Sequence, residues 1–279
     1  MKFKTLTLTS IFGISTLLAG CGGGGSSNST PSTSITPTIT SVTSDRLMYA
    51  NTTKFTVTGQ NLDQGINFVV GAFLSMCSGM TEAAGGTATQ RVFSCSPTTT
   101  GTIPVVVQSN SGSVLFEKSL SIPLPQVSLK TSMGDMLLEL YPNNAPITVN
   151  NFLQYVWSNF YTNLIFHRVV PGFVIQGGGF NSAAQAATTR DPIKLEVPNG
   201  LSNLRGTVAM ARTSALNSAT SQFYINTVDN VALDTTGGGY AVFGKVASGL
   251  SVVDAISAVQ TSNSWPATPV VITSATQTQ

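Results

Sequence analysis

The side chain with the strongest claim to chemistry is Arg168, which sits in Phe166-His167-Arg168-Val169-Val170-Pro171-Gly172-Phe173-Val174-Ile175-Gln176-Gly177-Gly178. That stretch reads as two short apolar strands joined at Pro171-Gly172. A charge in an apolar strand costs at least ~2 kcal/mol unless a partner or water compensates it. Arg168 is therefore expected at a functional site, the bland alternative being an edge strand that turns it to solvent. An arginine in such a place is a donor, because its guanidinium keeps its charge and offers several N–H groups in a rigid plane. Other chemistries lack their parts. His167 is the only histidine, so no Ser-His-Asp arrangement is persuasive, and one histidine with three cysteines serves zinc poorly. Strand alternation places His167 on the face opposite Arg168, which favours a structural role. The glycine runs at 22, 177 and 237 lack the spacing of a phosphate loop. Neither a metal nor a cofactor is expected.

The chain that must position Arg168 has 279 residues, 42% hydrophobic and only 9% charged, enough for two domains and too apolar for disorder throughout. Twenty-six glycines and many Thr, Ser and Val residues favour strands and turns. Lys2 and Lys4 supply the whole excess of positive charge, so the remaining chain gives no electrostatic case for nucleic acid. Residues 1–20 combine those lysines with the apolar run Leu6 to Leu18, shorter than a spanning helix needs, and read as a signal peptide. Their ending, Leu18-Ala19-Gly20-Cys21, resembles a bacterial lipoprotein signal, which implies lipidation at Cys21 and a bilayer anchor in the cell envelope. The absence of an aspartate at Gly22 favours the outer membrane, facing the periplasm, over the inner one. Residues 21–37, rich in Gly, Ser, Thr and Pro, form a flexible tether.

Residues 38–123 contain short, mostly alternating runs: Thr38 to Val42, Thr53 to Gly59, Asn67 to Val70, Gln90 to Phe93 and Gly101 to Val107. Their spacing predicts a small β-sandwich. With Pro37, Ile39, Ser41-Val42 and Phe55-Thr56-Val57-Thr58-Gly59-Gln60-Asn61-Leu62, the segment resembles immunoglobulin-like domains of the IPT/TIG type. Cys77 and Cys95 remain as a pair that an oxidising compartment would let join, two buried thiols being the alternative. A spacer role is favoured over a specific binding module.

Residues 126–279 read differently. Val127 to Lys130 and Met136 to Leu140 flank the turn Ser132-Met133-Gly134-Asp135. Pro146 opens a helix whose apolar stripe is Val149, Phe152, Leu153 and Val156. The Arg168 hairpin follows, then a long loop from Gly177 to about Asn199, strands at 206–211, 222–225 and 241–246, a helix from Leu250 to Ala258 and a strand at 270–272. Many strands with two helices predict a closed barrel capped at its ends.

In this segment the Arg168 block, Gly206-Thr207-Val208-Ala209-Met210-Ala211-Arg212, Ser221-Gln222-Phe223, Leu233-Asp234 and Val242-Phe243-Gly244-Lys245-Val246 fall in the order found in cyclophilins, and the chain resembles the bacterial branch of that family. The resemblance implies a mainly β protein with a closed eight-stranded barrel. Its implied activity is peptidyl-prolyl cis-trans isomerisation, with Arg168 as the catalytic donor. It assigns Phe173, Val174, Tyr224 and Leu233 to a proline socket, and Gln176 and Gln222 to substrate carbonyls or to holding Arg168. Backbone groups at Arg212 and Thr213 take the chain before proline, and Ala211 and Tyr240 complete the substrate-binding set. The implied partners are proline-containing polypeptide clients, met by a monomer. Two departures stand out. Ala232 occupies a position where the family carries Trp or Phe, implying weak cyclosporin binding and a reduced grip on substrate. Tyr224 stands where Phe is usual, placing a hydroxyl at the socket wall. Ala232 keeps open a second reading, a lipid-anchored peptide-binding holdase with little turnover.

Overall fold

The computed structural model describes residues 35–71 and 76–279, so the expected signal segment, Cys21 and the expected tether as far as residue 34 lie outside the described residues. Alternation governs the first lobe. In Thr53–Gln60 every second side chain is buried, and the same holds from Ile103 to the end of Gly101–Ser109. Strands β1 (Thr38–Ser44), β2 (Thr53–Gln60), β4 (Cys77–Glu82) and β5 (Gln90–Pro97) form one antiparallel sheet in the order β1-β2-β5-β4. Strands β3 (Ile66–Val70), β6 (Gly101–Ser109) and β7 (Val114–Ile122) form a second. The sheets share one apolar cluster that includes Phe55, Val57, Phe68, Phe93, Val105 and Val107. The ring centroid of Phe68 lies 5.2 Å from that of Phe55 and 4.9 Å from that of Phe93. Two of the seven strands, β4 and β7, carry no clean sequence signal: β4 exposes every residue after Cys77, and β7 holds Glu117-Lys118 at its centre. Cys77 and Cys95 form a disulfide that ties β4 to β5. Closing a loop of 18 residues contributes about 3 kcal/mol in the chain-entropy account.

The second lobe is a closed barrel. Its strands are β8 (Gln126–Thr131), β9 (Gly134–Leu140), β10 (Leu164–Val170), β11 (Val174–Asn181), β12 (Thr207–Met210), β13 (Phe223–Asn226), β14 (Val242–Ser248) and β17 (Val270–Gln277). They run antiparallel in the order β10-β11-β13-β12-β14-β9-β8-β17, and β17 pairs back onto β10. Helices α1 (Pro146–Trp157) and α2 (Leu250–Ser257) and a two-stranded ribbon of β15 (Thr261–Ser262) and β16 (Trp265–Pro266) complete it. Phe152 of α1 lies 5.2 to 5.5 Å from the rings of Tyr161, Phe223 and Phe243, joining the helix to the barrel core. Pro146 occupies the first turn of α1, as its fixed φ and missing N–H favour. Ala145 before it has no capping oxygen, and the Glu196 carboxylate accepts instead from the amides of Ile147 (3.0 Å) and Thr148 (2.8 Å).

Strand β11 runs on through the glycines to Asn181, where the sequence suggested that a loop begins at Gly177. The reason is close approach: a Cβ at Gly179 would lie 2.6 Å from the Gln222 side chain. A second difference concerns Arg168. Phe166 pairs with Gly177 and Arg168 with Gln176, two residues against one, so His167 is the extra residue of a β-bulge. Simple alternation would put Phe166 and Arg168 on one face. The bulge lets Phe166 and Val169 both join the barrel core while Arg168 lines a cavity elsewhere.

From Thr36 onward the chain forms one compact unit, and the lobes meet at Tyr49. This side chain is 1% exposed, belongs to the barrel's apolar cluster and donates its hydroxyl to Asn150 Oδ1 of α1 at 3.0 Å. Gln277 of β17 seals the contact, accepting from Asn51 Nδ2 and Trp157 Nε1 and donating to the Tyr49 carbonyl.

Candidate active site

The barrel strands sort their side chains between two apolar clusters. Ile175, Val208, Met210, Phe223, Ile225 and Phe243 enter the main core. Their neighbours Val174, Ala209, Tyr224 and Val242 face the other way and form a separate cluster, with Phe173, Leu201, Ala211, Leu233 and Tyr240 packed against it. Period-two alternation on four adjacent strands thus builds an apolar floor on the second face of the sheet.

On that floor lies a cavity of about 310 Å³ lined by Arg168, Phe173, Val174, Gln176, Ala211, Arg212, Tyr224, Leu233 and Tyr240. Every one of these residues was singled out in the sequence. Gln222 and Thr213, the remaining pair of that set, line an adjoining cavity of about 150 Å³ together with Gln176, Ala211, Arg212, Ser218 and Thr220. Arg168 is half-buried, with Cζ 5.8 Å from the Phe173 ring centroid. Its Nη1 donates to Gln176 Oε1 at 3.4 Å, and Gln176 Nε2 donates to Gln222 Oε1 at 2.9 Å. This line of amides orients the guanidinium at the edge of the apolar hollow. His167 packs edge-on to Phe180 at 4.8 Å and lies 6.0 Å from Trp265. Burial lowers its pKa, an effect that hydrogen bonds with the Ile165 backbone and Gln222 oppose. The imidazole therefore favours its neutral form.

The wall of the hollow depends on residues to which the sequence assigned no part. The Tyr224 hydroxyl donates to Asn203 Oδ1 at 2.7 Å, and Asn226 Nδ2 donates to the same oxygen at 3.2 Å. Asn203, fully buried, gives its backbone N–H and Nδ2 to Asp234 Oδ1, each at 2.8 Å, and Ser202 Oγ donates to Asp234 Oδ2. Burial pushes the Tyr224 phenol well above its ordinary range, with Tyr240 and Asp234 adding to the shift, so the hydroxyl stays protonated and donating. For Asp234 burial acts upward, but the Ser202 and Asn203 hydrogen bonds outweigh it and the carboxyl titrates below its usual value. Asn203 lies in an irregular segment, where no periodicity could have marked it. Asp234 was visible only as part of the Leu233-Asp234 block. Among the described residues no cluster of His, Cys, Asp or Glu could hold a metal ion.

The closed eight-stranded barrel coincides with the segment that matches a known family. The family described as cyclophilin type peptidyl-prolyl cis-trans isomerase/CLD matches residues 126–277, more than half of the chain, and the protein belongs to it and is an enzyme of that class. Over 156 residues the chain is 53% identical to peptidyl-prolyl cis-trans isomerase A of Dickeya dadantii, covering 53% of this chain and 82% of the relative. Over 143 residues it is 50% identical to peptidyl-prolyl cis-trans isomerase B of Escherichia coli K12, covering 50% and 87%. A crystal structure of a cyclophilin type isomerase from Cryptosporidium parvum is 26% identical, with a TM-score of 0.49, over 56% of this chain and 98% of that one.

Proposed function

We propose that the barrel isomerises X-Pro bonds by donating a hydrogen bond from the Arg168 guanidinium to the nitrogen of the twisted amide while the proline ring occupies the hollow beside it. Resonance opposes the rotation with a barrier of about 18–20 kcal/mol. No bond is made or broken, so the protein need only hold the twisted state more tightly than the planar ones. In the twisted state the nitrogen lone pair is localised and accepts a hydrogen bond. A fixed donor aimed at it in a water-poor pocket opposes the return to conjugation. The observation that supports this reading is the placement of Arg168, bonded to Gln176 and set over Phe173, on the cavity that Val174, Tyr224 and Leu233 also line. In this reading Gln176 and Gln222 steady the guanidinium or take substrate carbonyls, and the Arg212 and Thr213 backbone takes the chain before proline. Ala232, exposed on the rim, weakens the grip on substrate and on cyclosporin. The test is the cis-to-trans rate of an Ala-Pro peptide, read through an isomer-specific protease, with wild type and Arg168→Ala side by side. Acceleration by wild type that Arg168→Ala loses supports the reading. Two equal rates near the uncatalysed one would favour the peptide-binding holdase.

The Tyr224 hydroxyl turns to Asn203 and so is not needed for turnover. Tyr224→Phe is expected to keep kcat/KM within about twofold. It should lower stability by about 1 kcal/mol, since Asn203 Oδ1 keeps its bond from Asn226. Thermal melts beside the peptide assay check both values.

In the same reading the enzyme assists folding of envelope proteins as a lipid-anchored monomer. Its two-sheet lobe is an immunoglobulin-like sandwich of the IPT/TIG type that acts as a spacer. The supporting observations are Lys2 and Lys4 before the apolar run ending Leu18-Ala19-Gly20-Cys21, and a Cys77–Cys95 disulfide of the kind that an oxidising compartment preserves. Each buried lipid methylene adds about 0.8 kcal/mol, so a multiply acylated Cys21 anchors stably. Cys21→Ala is expected to move the protein from the membrane pellet to the soluble fraction. Retention with membranes would place the anchor elsewhere.

A further inference from the structure

We propose that Arg212 is a positioning residue whose side chain ties the glycine loop Gly237–Gly239 to the end of β12 and so sets the width of the groove that receives a peptide ahead of its proline. The inference rests on the reading of the hollow as the proline site. Arg212 borders both cavities, the larger one that holds Arg168 and the smaller one that holds Gln222 and Thr213. Across from it three consecutive glycines take positive φ, 61°, 93° and 85° at Gly237, Gly238 and Gly239. Such a segment has no side chain with which to anchor itself and loses more freedom on ordering than any other. Arg212 supplies the anchor. Its Nε and Nη2 donate to the Gly239 carbonyl at 3.0 and 2.8 Å, Nη2 also donates to the Gly237 carbonyl at 2.6 Å, and Nη1 donates to the Thr213 carbonyl at 3.0 Å.

The Arg212 guanidinium also lies 4.5 Å from the centroid of the Tyr240 ring, and the Tyr240 amide bonds the Leu233 carbonyl at 3.1 Å. Loop and hollow are therefore mechanically continuous, because Tyr240 and Leu233 both line the larger cavity. The charge of Arg212 is spent on backbone carbonyls and an aromatic face, which suits a tie better than a contact to an acidic client residue. A groove held open in advance spares the incoming peptide the cost of ordering the loop. That saving is made on binding, whereas the twisted amide is addressed by Arg168.

The experiment compares the full chain with Arg212→Met, which keeps length and loses the donors, and Arg212→Lys, which can serve one carbonyl at a time. In Arg212→Met the amides of Gly238, Gly239 and Tyr240 are expected to exchange hydrogen at least about tenfold faster. KM should rise about tenfold with kcat within about twofold, equally for a neutral Ala-Pro peptide and for one with glutamate two residues before proline. Arg212→Lys should fall between. An unchanged KM overturns the proposal, as does a loss confined to the glutamate peptide, which would make Arg212 a direct charge contact. So do amides that remain as protected as in wild type. Should wild type itself fail to accelerate the peptide, the isomerase reading falls, while the exchange rates still decide whether Arg212 holds the loop.

Discussion

Arg168→Ala is expected to lower kcat/KM by about 10²–10³, the loss that follows removal of one pre-aimed donor from a transition-state site. The effect should appear in kcat more than in KM, because in the proposed mechanism the donor's partner, the localised lone pair, exists only in the twisted state. Arg168→Lys should recover little. An ammonium keeps the charge but not the planar fork that reaches toward the hollow and Gln176 together. The apolar floor of Val174, Ala209, Tyr224 and Val242 does not involve Arg168, so the melting temperature should hardly change and a lost rate cannot be blamed on unfolding. A variant within threefold of wild type would remove the arginine from the mechanism.

Tyr49→Ala carries the largest expected effect on stability. A ring 1% exposed, in the barrel's own apolar cluster but supplied by the other lobe, leaves a cavity when removed. Deleting a buried aromatic costs about 3–5 kcal/mol. At roughly 2–4 °C per kcal/mol for a protein approaching this size, the midpoint should drop by at least about 6 °C. Tyr49→Phe, which gives up only the bond to Asn150, should cost about 1 kcal/mol. The barrel expressed without the first lobe, from residue 124 onward, loses Tyr49 and the contacts of Gln277 to Tyr49 and Asn51, and is expected to melt well below the full chain. A melting temperature unchanged in Tyr49→Ala would show that the lobes do not stabilise each other there.

Much of the lining of the candidate site was legible before any fold was drawn, because its residues lie in short blocks whose alternation survives folding. Val174 and Gln176 on β11, Ala209 and Ala211 at β12 and Tyr224 on β13 keep the two-residue period that sends each to the cavity side. Residues outside that period were not legible as parts of the wall. Asn203, Ser202 and Asp234 come together from an irregular segment and a short turn separated by some 30 positions, and only the folded chain reveals their bonds to one another. The same holds for Glu196, which serves a helix start 48 residues before it.

From the order of residues alone follow the strand alternation, the proline that opens α1, the pairing of Cys77 with Cys95 as an available bridge, and the presence of a cation in an apolar hairpin. These are local facts, set by side-chain period and backbone sterics. Tertiary structure decided the rest. The bulge at His167 turns Arg168 toward the hollow while Phe166 and Val169 stay in the core, and Tyr49 crosses from one lobe into the other. Each depends on where a distant strand or helix comes to lie, and the free energy of burying a side chain there belongs to the assembled core and to no single stretch of chain.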